Sequence, residues 1–359
     1  MKITTKYILR SIVFNSFLML FVLSSLFALF DLIAEFKNIG THNYSFLSVL
    51  IFVALKIPIY INSTLVLAIS MGVIVALGSL VDSKFTIILQ SSGVTKKDLI
   101  KQVIFITFFI SLILTILGEL SANFSEVSSK NYKNSQLGRF TSSKQFSNFW
   151  IIEGSSIYHF DKNLDGRTIQ GFTKYDFDNK DLVSIHSSDK AIFDKDKLLI
   201  APGEKLTLGQ DGNFTILEKQ PSKSEQINYF LDSEVVANLQ LKPWDLDLID
   251  LIKQINYLQD SGVNSSSFVI DLYTRILKPF LTLVLVYLAI PFLLSYKRTM
   301  SIGNRIFFGF VLGLTSKILI DMSNIISLRY DLNHLFFAIS PILILLTLGF
   351  LLNSKFSKV

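Results

Sequence analysis

The stretch VDSKFTIILQSSGVTKKDLIKQ, residues 81–102, separates two long apolar runs of the chain. Asp82 or Ser83 can cap the start of a helix, because a side-chain oxygen there accepts hydrogen bonds from free backbone N–H groups. Gly93 suits the left-handed conformation that ends many helices. Thr95 and Asp98 have the spacing of a capping box that opens the next helix. The stretch therefore predicts a short, capped helix in residues 82–94, between two longer helices.

The sequence on either side of this stretch is too apolar for a soluble protein. Of the 359 residues, 50% are hydrophobic, and the mean hydropathy is +0.48. A membrane span needs about 20 mostly apolar residues, and six runs that are apolar on all sides approach that length. The six predicted spans are residues 9–33, 57–81, 99–124, 268–295, 306–327 and 335–352. The first lacks a cleavage site of small residues, so we expect an uncleaved span rather than a signal peptide.

Charge is unevenly distributed along the chain. Residues 123–267 carry 16 basic and 20 acidic side chains, whereas the rest carry 18 and 8. The short segments at one end of the predicted spans hold 12 basic and two acidic side chains, and such an excess faces the cytoplasm. We therefore expect three spans in residues 1–124, an outer domain in 125–265 and three spans in 266–359. The distribution favours anionic lipid headgroups over nucleic acid as a partner.

The outer domain has the pattern of an all-β sandwich or jelly roll. Short runs rich in β-branched and aromatic residues, such as FWIIEGSSIYHF, alternate with turn signals such as PG at 202–203. Residues 123–139 are expected to continue the third span as a helix, and 246–258 have apolar residues at helical spacing.

The sequence offers little that fits an enzyme. The four histidines are scattered without metal-ligand spacing, no nucleophile motif appears, and the chain has no cysteine for disulfides or Cys-based metal sites. A GxxxxGK[ST] phosphate loop is also missing, so ATP-driven work would need a separate subunit.

The short helix has two readings that the residues alone leave open. Phe85, Ile88 and Leu89 are expected to share one face. The helix is either part of an ordinary loop or a coupling helix that docks its apolar face into another protein and transmits movement to the spans.

Two groups of charged residues fall within predicted spans, where charge is costly and often functional. Lys317 and Asp321 lie one turn apart near mid-membrane, and a mutually satisfied pair facing the bundle is favoured over contact with a ligand. Asp271, Arg275 and Lys278 are expected to line one stripe near the outer end of the fourth span. For this stripe, ligand contact and snorkelling to headgroups both remain open.

Taken together, these features resemble the LptF/LptG permeases of the lipopolysaccharide export ABC transporter. The order of parts is similar over the full length. KYILRSIVFNSFL, ILQSSGVTKKDLIK and YTRILKPFLTLVLVYLAIPFL look like the first span, the coupling helix and the fourth span of that family. GNRIFFGFVLGL and LIDLIKQINYLQDSG are more similar to the LptG branch.

The resemblance implies an α-helical membrane protein with six transmembrane helices and an all-β, jellyroll-like periplasmic domain inserted between helices three and four. It implies a non-catalytic subunit in the bacterial inner membrane, without a cofactor, that takes lipopolysaccharide from the outer leaflet. The implied partners are an LptF-like paralogous permease, an LptB ATPase dimer, LptC, the periplasmic LptA bridge, lipopolysaccharide and membrane lipids.

The resemblance also implies site residues. Lys37, Lys130, Lys133 and Arg275 match basic positions that contact lipid A phosphates in the family, and ammonium and guanidinium groups form charge-assisted hydrogen bonds with phosphate. The predicted lipopolysaccharide-binding residues are Lys37, Lys56, Lys130, Lys133, Arg275 and Lys278. The predicted ATPase-coupling residues are Asp82, Phe85, Ile88, Leu89 and Gly93.

Several positions depart from the family pattern. Asp31, Asn38 and Ile59 stand where LptG proteins usually have lysines, and Phe85 stands where the coupling helix usually has Glu. The smaller number of basic groups suggests a lipid A with fewer phosphates. The alternatives are the paralogue LptF, an ABC membrane subunit that relays ATPase motion to periplasmic proteins without transport, and a periplasmic-site enzyme, which the missing acid/base cluster disfavours.

Overall fold

The computed structural model describes residues 3–93, 95–138, 147–153, 155–163, 168–178, 181–194, 197–208, 216–222, 224–228, 242–260, 264–294 and 301–356. The chain forms two compact units. One, the helical unit, comprises Met1–Lys133 and Val269–Val359, and the other, the sheet unit, comprises Asn134–Phe268.

Nine α-helices lie in the described residues: α1 Ile3–Glu35, α2 Phe46–Leu55, α3 Ile57–Asp82, α4 Phe85–Ser91, α5 Lys96–Gln136, α6 Leu248–Asp260, α7 Ser266–Leu294, α8 Ile302–Arg329 and α9 His334–Phe356. Among these, α1, α3, α5, α8 and α9 are long and apolar enough to cross a membrane. Helix α7 has 29 residues but carries three charged side chains in its first half, and it is not one of the five.

Helix α3 forms the centre of the helical unit. Of its most apolar stretch, 78% is buried, against 22% for α1 and for α8. Ile8 and Ile12 of α1 and Val286 of α7 belong to the same buried cluster as Leu65 and Ile69 of α3. The packing of α3 explains why its sequence has no charged residue before Asp82, because a helix surrounded by other helices has no solvated polar face.

Helix α2 is an element that the sequence analysis did not assign. Its ten residues are too few to cross a membrane. Ser45 and Ser48 form a capping box at its start, and Val49 and Phe52 are buried. The Ser125 hydroxyl donates a hydrogen bond to the last carbonyl of the helix and so ties α2 to α5.

The sheet unit contains one antiparallel sheet of eight described strands: β1 Ser147–Glu153, β2 Ser156–Asn163, β3 Thr168–Asp178, β4 Asp181–Asp194, β5 Lys197–Ile200, β6 Gly203–Leu208, β7 Ile216–Ser222 and β8 Glu225–Asn228. The strand order is β1-β2-β3-β4-β5-β8, and the long strand β4 also pairs with β6, which pairs with β7. The prediction of an all-β middle region is thus confirmed as an antiparallel sheet.

The core of the sheet unit comes from alternate positions along the strands. Phe160, Ile169, Phe172, Ala191 and Leu198 are almost completely buried in one cluster. The predicted helices at either end of this region are present. One is the extension of α5 to Gln136, and the other is α6, whose Tyr257 packs against the same cluster.

Candidate functional site

Lys56, one of the predicted lipid-binding residues, is held by a carboxylate near the end of α1. Its ammonium group forms an ion pair with Asp31, and the Tyr60 hydroxyl donates to the same carboxylate at 2.6 Å. The ammonium also lies 5.3 Å from the ring centre of Phe52 and 5.4 Å from that of Tyr60. Lys56 therefore has an anionic partner within the protein.

Lys133 on α5 has a similar environment. Its ammonium group lies 2.5 Å from a carboxylate oxygen of Glu35 and 5.0 Å from the ring centre of Phe52. Asn38 and Tyr44 donate to the other Glu35 oxygen at 2.8 Å and 3.2 Å. Burial and the adjacent Glu35 carboxylate raise the pKa of Tyr44, so its hydroxyl stays protonated and can keep donating.

Two carboxylates and two ammonium groups thus form a set with no net charge around Phe52; we call Asp31, Glu35, Lys56 and Lys133 the paired cluster. The two lysines were predicted from the sequence, but Glu35 was not predicted as a partner. The signal was present, because Asp31 and Glu35 lie four residues apart and so on one side of α1.

Two further predicted lysines are more accessible. Lys37 lies in the 3₁₀ turn Phe36–Asn38 after α1 and is exposed. Lys130 is half exposed on α5, with its ammonium group 2.8 Å from the Glu126 carboxylate one turn earlier.

Arg275 and Lys278, also predicted to bind lipid, point into the helical unit instead. Arg275 is 8% exposed and donates to Glu119 of α5 at 2.9 Å and to Asp271 at 2.8 Å. Lys278 donates to Glu119 at 2.9 Å and to Asn62 of α3 at 3.1 Å. These contacts join α7 to α5 and α3.

Glu119 is the central acceptor of this buried network, and the sequence analysis missed it. A carboxylate in an otherwise apolar run was the available signal, since such a group needs a partner. Arg275 and Lys278 lie on one side of α7, as predicted, because both contact the Glu119 carboxylate. It faces other helices of the bundle.

The predicted pair of Lys317 and Asp321 forms with a separation of 3.2 Å, but its side chains do not pack against the other helices of this chain. The two side chains are 73% and 53% exposed. The buried positions of α8 include Gly309, Gly313 and Ser316, and the two glycines pack on α3.

Helix α4 is the predicted short helix, yet its apolar residues do not share one free face. Leu89 is buried in the core of the helical unit, and Phe85 packs beside it, with its ring centre 4.7 Å from that of Tyr7. Ile88 is 59% exposed. Gly93 has a φ of +86°, as predicted for the residue that follows the helix.

The predicted cap of this helix is wrong in part. Asp82 is the last residue of α3, and both its carboxylate oxygens accept from Arg305 at 2.6 Å. Ser83 donates to the carbonyl of Leu80 at 3.1 Å. Because these groups have other partners, neither opens α4.

The predicted capping box at the start of α5 is confirmed. The Asp98 N–H donates to the Thr95 hydroxyl oxygen at 3.1 Å, and the Thr95 N–H donates to the Asp98 carboxylate at 3.3 Å. Helix α4 is therefore a separate element with a defined turn on each side. Within the described residues, no cluster of three or more His, Asp or Glu is arranged to hold a metal.

Comparison with known proteins gives this arrangement its context. The family model of the lipopolysaccharide export system permease LptF/LptG matches residues 6–355. The chain belongs to the LptF/LptG permease family. It is 23% identical to the lipopolysaccharide export system permease protein LptG of Haemophilus influenzae over 355 residues, covering 98% of each chain. It is 22% identical to LptG of Escherichia coli K12 over 343 residues, covering 94% of this chain and 93% of the relative.

Membership of the LptF/LptG family fixes the general class of activity. The chain is a permease subunit of a lipopolysaccharide export system and not an enzyme. Its five long apolar helices make it a multi-pass membrane protein. The family match includes both the helical unit and the sheet unit, so both belong to the architecture of the family.

Proposed function

We propose that the chain is the LptG subunit of the exporter, which extracts lipopolysaccharide from the outer leaflet of the inner membrane. The observation that carries this proposal is the family match over residues 6–355, together with relatives named LptG that align over nearly the whole chain. The relatives favour LptG over its paralogue LptF.

The proposed topology has six spans, with α7 as the sixth spanning helix beside the five apolar ones. Its 29 residues are long enough, and its charged side chains pair with Glu119 of α5 and with one another. The excess of basic residues at one end of the spans supports a cytoplasmic position for that end and a periplasmic position for the sheet unit. We propose domain limits at 1–124, 125–265 and 266–359.

The proposed energy source is an ATPase dimer of the LptB type, which docks against α4. Helix α4 suits this role because it lies between two spans, on the side assigned to the cytoplasm. We propose that the exposed side chain of Ile88 enters the ATPase, while Phe85 and Leu89 anchor α4 to the bundle.

The proposed periplasmic partners are LptC and the LptA bridge, and the second half of the lipid pathway is an LptF-like permease. Among the described strands, β1, β7 and β8 each pair with a single neighbour. A free sheet edge can accept a strand from another protein, so these strands are the proposed places for head-to-tail association of jellyroll domains.

For lipid recognition, we propose that the exposed Lys37 and the half-exposed Lys130 attract phosphate groups first. Lys56 and Lys133 would have to leave Asp31 and Glu35 before they could bind phosphate. This pairing supports a lipid A with few phosphates as substrate. For Arg275 and Lys278 we propose a positioning role, because both already bind Glu119.

Native mass spectrometry of the tagged protein, purified from its own membranes in mild detergent, tests the proposal. We expect an ATPase dimer, a permease of similar size and bound lipopolysaccharide in one complex. A complex that contains an ATPase but no glycolipid would contradict transport and favour the mechanical relay. The mass of the lipid would count its phosphates, and a fully phosphorylated lipid A would overturn the substrate assignment.

A further inference from the structure

Arg305 lies at the start of α8 and is buried although it is charged. Only 3% of its side chain is exposed, and two guanidinium nitrogens each donate to a different oxygen of Asp82 at 2.6 Å. A planar guanidinium on a carboxylate in this two-point geometry fixes direction as well as distance. The end of α3 is thus joined to the beginning of α8.

The surface of α3 is shaped for the Arg305 side chain. A Cβ atom placed on Gly78 would overlap Cδ, Nε and Cζ of Arg305. Glycine at position 78 therefore lets the guanidinium lie directly against the backbone of α3, one helical turn before Asp82. No larger residue fits there without moving Arg305.

The close contact continues along both helices. Gly309 allows α8 to approach Met71 and Ile74, where an added Cβ would lie 3.0 Å and 3.2 Å from their side chains. Further on, a Cβ on Gly313 would overlap Leu67. Small residues at four-residue spacing let helices pack closely in a membrane. The α3–α8 contact therefore extends over several turns, and the Arg305–Asp82 pair closes one end of it.

This end of the contact lies next to α4. Asp82 is three residues before Phe85, where α4 begins. Leu89 of α4 belongs to the same buried cluster as Leu77 and Leu80 of α3. A displacement of α4 would therefore move the end of α3, to which Arg305 is bound.

We propose that Arg305 is a positioning residue that transmits the movement of α4 to α8 through Asp82. The inference rests on the proposed function, in which an ATPase moves α4. The ion pair prevents α8 from sliding along α3, because a shift of one turn would leave two charges without partners. Helix α8 also exposes Phe307 and Lys317, so its movement would alter the surface that it presents outside the helical unit.

The test uses the whole complex, with its ATPase and paralogue, in nanodiscs loaded with purified lipopolysaccharide. ATP hydrolysis and lipid released to a soluble acceptor are measured together. For Asp82→Asn, which keeps the size of the side chain, we expect ATP hydrolysis within twofold of the wild type and at least fivefold less lipid released per ATP. The matched control is Asp250→Asn, which removes a carboxylate 3.7 Å from Lys253 in the sheet unit. This control should leave the ratio unchanged.

Two further variants separate coupling from mere stability. Arg305→Lys keeps the charge but loses the two-point geometry. At equal thermal stability, it should lower the ratio of lipid released to ATP hydrolysed less than Arg305→Met does. The exchange Asp82→Arg with Arg305→Asp should recover part of the loss. A lipid-to-ATP ratio equal to that of the wild type in Asp82→Asn and Arg305→Met would overturn the inference alone. A wild-type complex that hydrolyses ATP but releases no lipid would overturn the proposed function and this inference with it.

Discussion

Asp31 and Glu35 lie one turn apart on α1, and each holds a lysine that could otherwise bind an anion. Replacing Asp31 by Asn should free Lys56 for phosphate. We expect the affinity of the purified complex for phosphorylated lipid A to rise about fivefold, the equivalent of roughly 1 kcal/mol. Titration with a fluorescent lipid measures the change, and dephosphorylated lipid A, whose affinity should not rise, is the control ligand.

Glu126→Gln is the comparison variant for Asp31→Asn. Its partner Lys130 is already half exposed, so releasing it should change the affinity less. Unchanged or weaker binding of phosphorylated lipid A by Asp31→Asn would contradict the role that we assign to the paired cluster.

Glu119 accepts hydrogen bonds from two cations within the helical unit. Replacing it by Ala would leave Arg275 and Lys278 without this partner, and breaking such a buried pair typically costs about 3–5 kcal/mol. Thermal unfolding of the purified protein in detergent should therefore shift strongly downward. The partly exposed pair of Asp250 and Lys253 supplies the control, and Asp250→Asn should cost less than about 1 kcal/mol. Equal shifts for the two variants would show that the Glu119 network does not hold the helices together.

Single residues show where sequence reasoning stops. The lysines near the end of α1 and the charged stripe on α7 could be predicted, because residue type and spacing are visible in the sequence. Their partners were harder to predict, since Lys133 and Glu35 are 98 positions apart, and Arg275 and Glu119 are 156 apart. Only the tertiary packing of the helices brings such pairs together.

At the scale of elements, the apolar residues of α4 lie in two environments: Phe85 and Leu89 pack in the helical unit, whereas Ile88 is exposed. Ile88→Ala should weaken binding of the ATPase by about tenfold, because an exposed apolar side chain can serve as an interface anchor. The protein itself should remain equally stable. Co-purification of the ATPase at increasing salt and detergent provides the measurement.

Leu89→Ala is the internal comparison on the same helix. It removes a buried side chain and should lower the stability of the protein by roughly 2–5 kcal/mol. If Ile88→Ala retains the ATPase as firmly as the wild type does, docking through this side of α4 is wrong.

The middle of the sheet contains a group sensitive to acid. Burial raises the pKa of Asp176, but hydrogen bonds from Ser156, Lys174 and Ser184 lower it by more, so the net pKa is below the ordinary value. The stabilisation is complete above the unfolded pKa, about 3.9, and is lost as pH falls through the lower folded value. The sheet unit should therefore lose stability below about pH 4.

Asp176→Asn tests this pH dependence. It should be less stable than the wild type at neutral pH, and the difference should shrink as the pH falls from about 4 toward 2. Fluorescence of Trp150, whose ring stacks on Tyr175 at 5.7 Å, reports unfolding of this region. A difference between the two proteins that stays constant over that range would exclude the Asp176 contacts as its cause.

Most elements were predictable, and the exceptions have physical reasons. Long apolar runs predicted α1, α3, α5, α8 and α9, and the period and turn residues of the middle region predicted its strands. Helix α2 was missed because ten apolar residues fit a strand, a loop or a short helix equally well. The exposure of the Lys317–Asp321 pair on α8 was not predicted, because the packing of α8 depends on contacts of Gly309 and Gly313 with α3 that are not visible in the sequence of α8.

At the scale of the whole molecule, charge and hydropathy give the order of parts, and the family comparison supplies the activity. The match extends over residues 6–355, so both the helices and the sheet belong to one permease architecture. Composition predicted a basic membrane protein with an acidic middle region, but not what it moves. Lipid transport requires no catalytic motif in the sequence, because a permease binds and releases its substrate without changing it chemically.

The most direct test of the central claim is the distribution of lipopolysaccharide in living cells depleted of this protein. Inner and outer membranes are separated after depletion, and newly made lipopolysaccharide is measured in each. If the chain is a subunit of the exporter, new lipopolysaccharide should accumulate in the inner membrane and should reach the outer membrane again when the wild-type protein is restored. New lipopolysaccharide that arrives in the outer membrane at the normal rate without this protein would contradict the account.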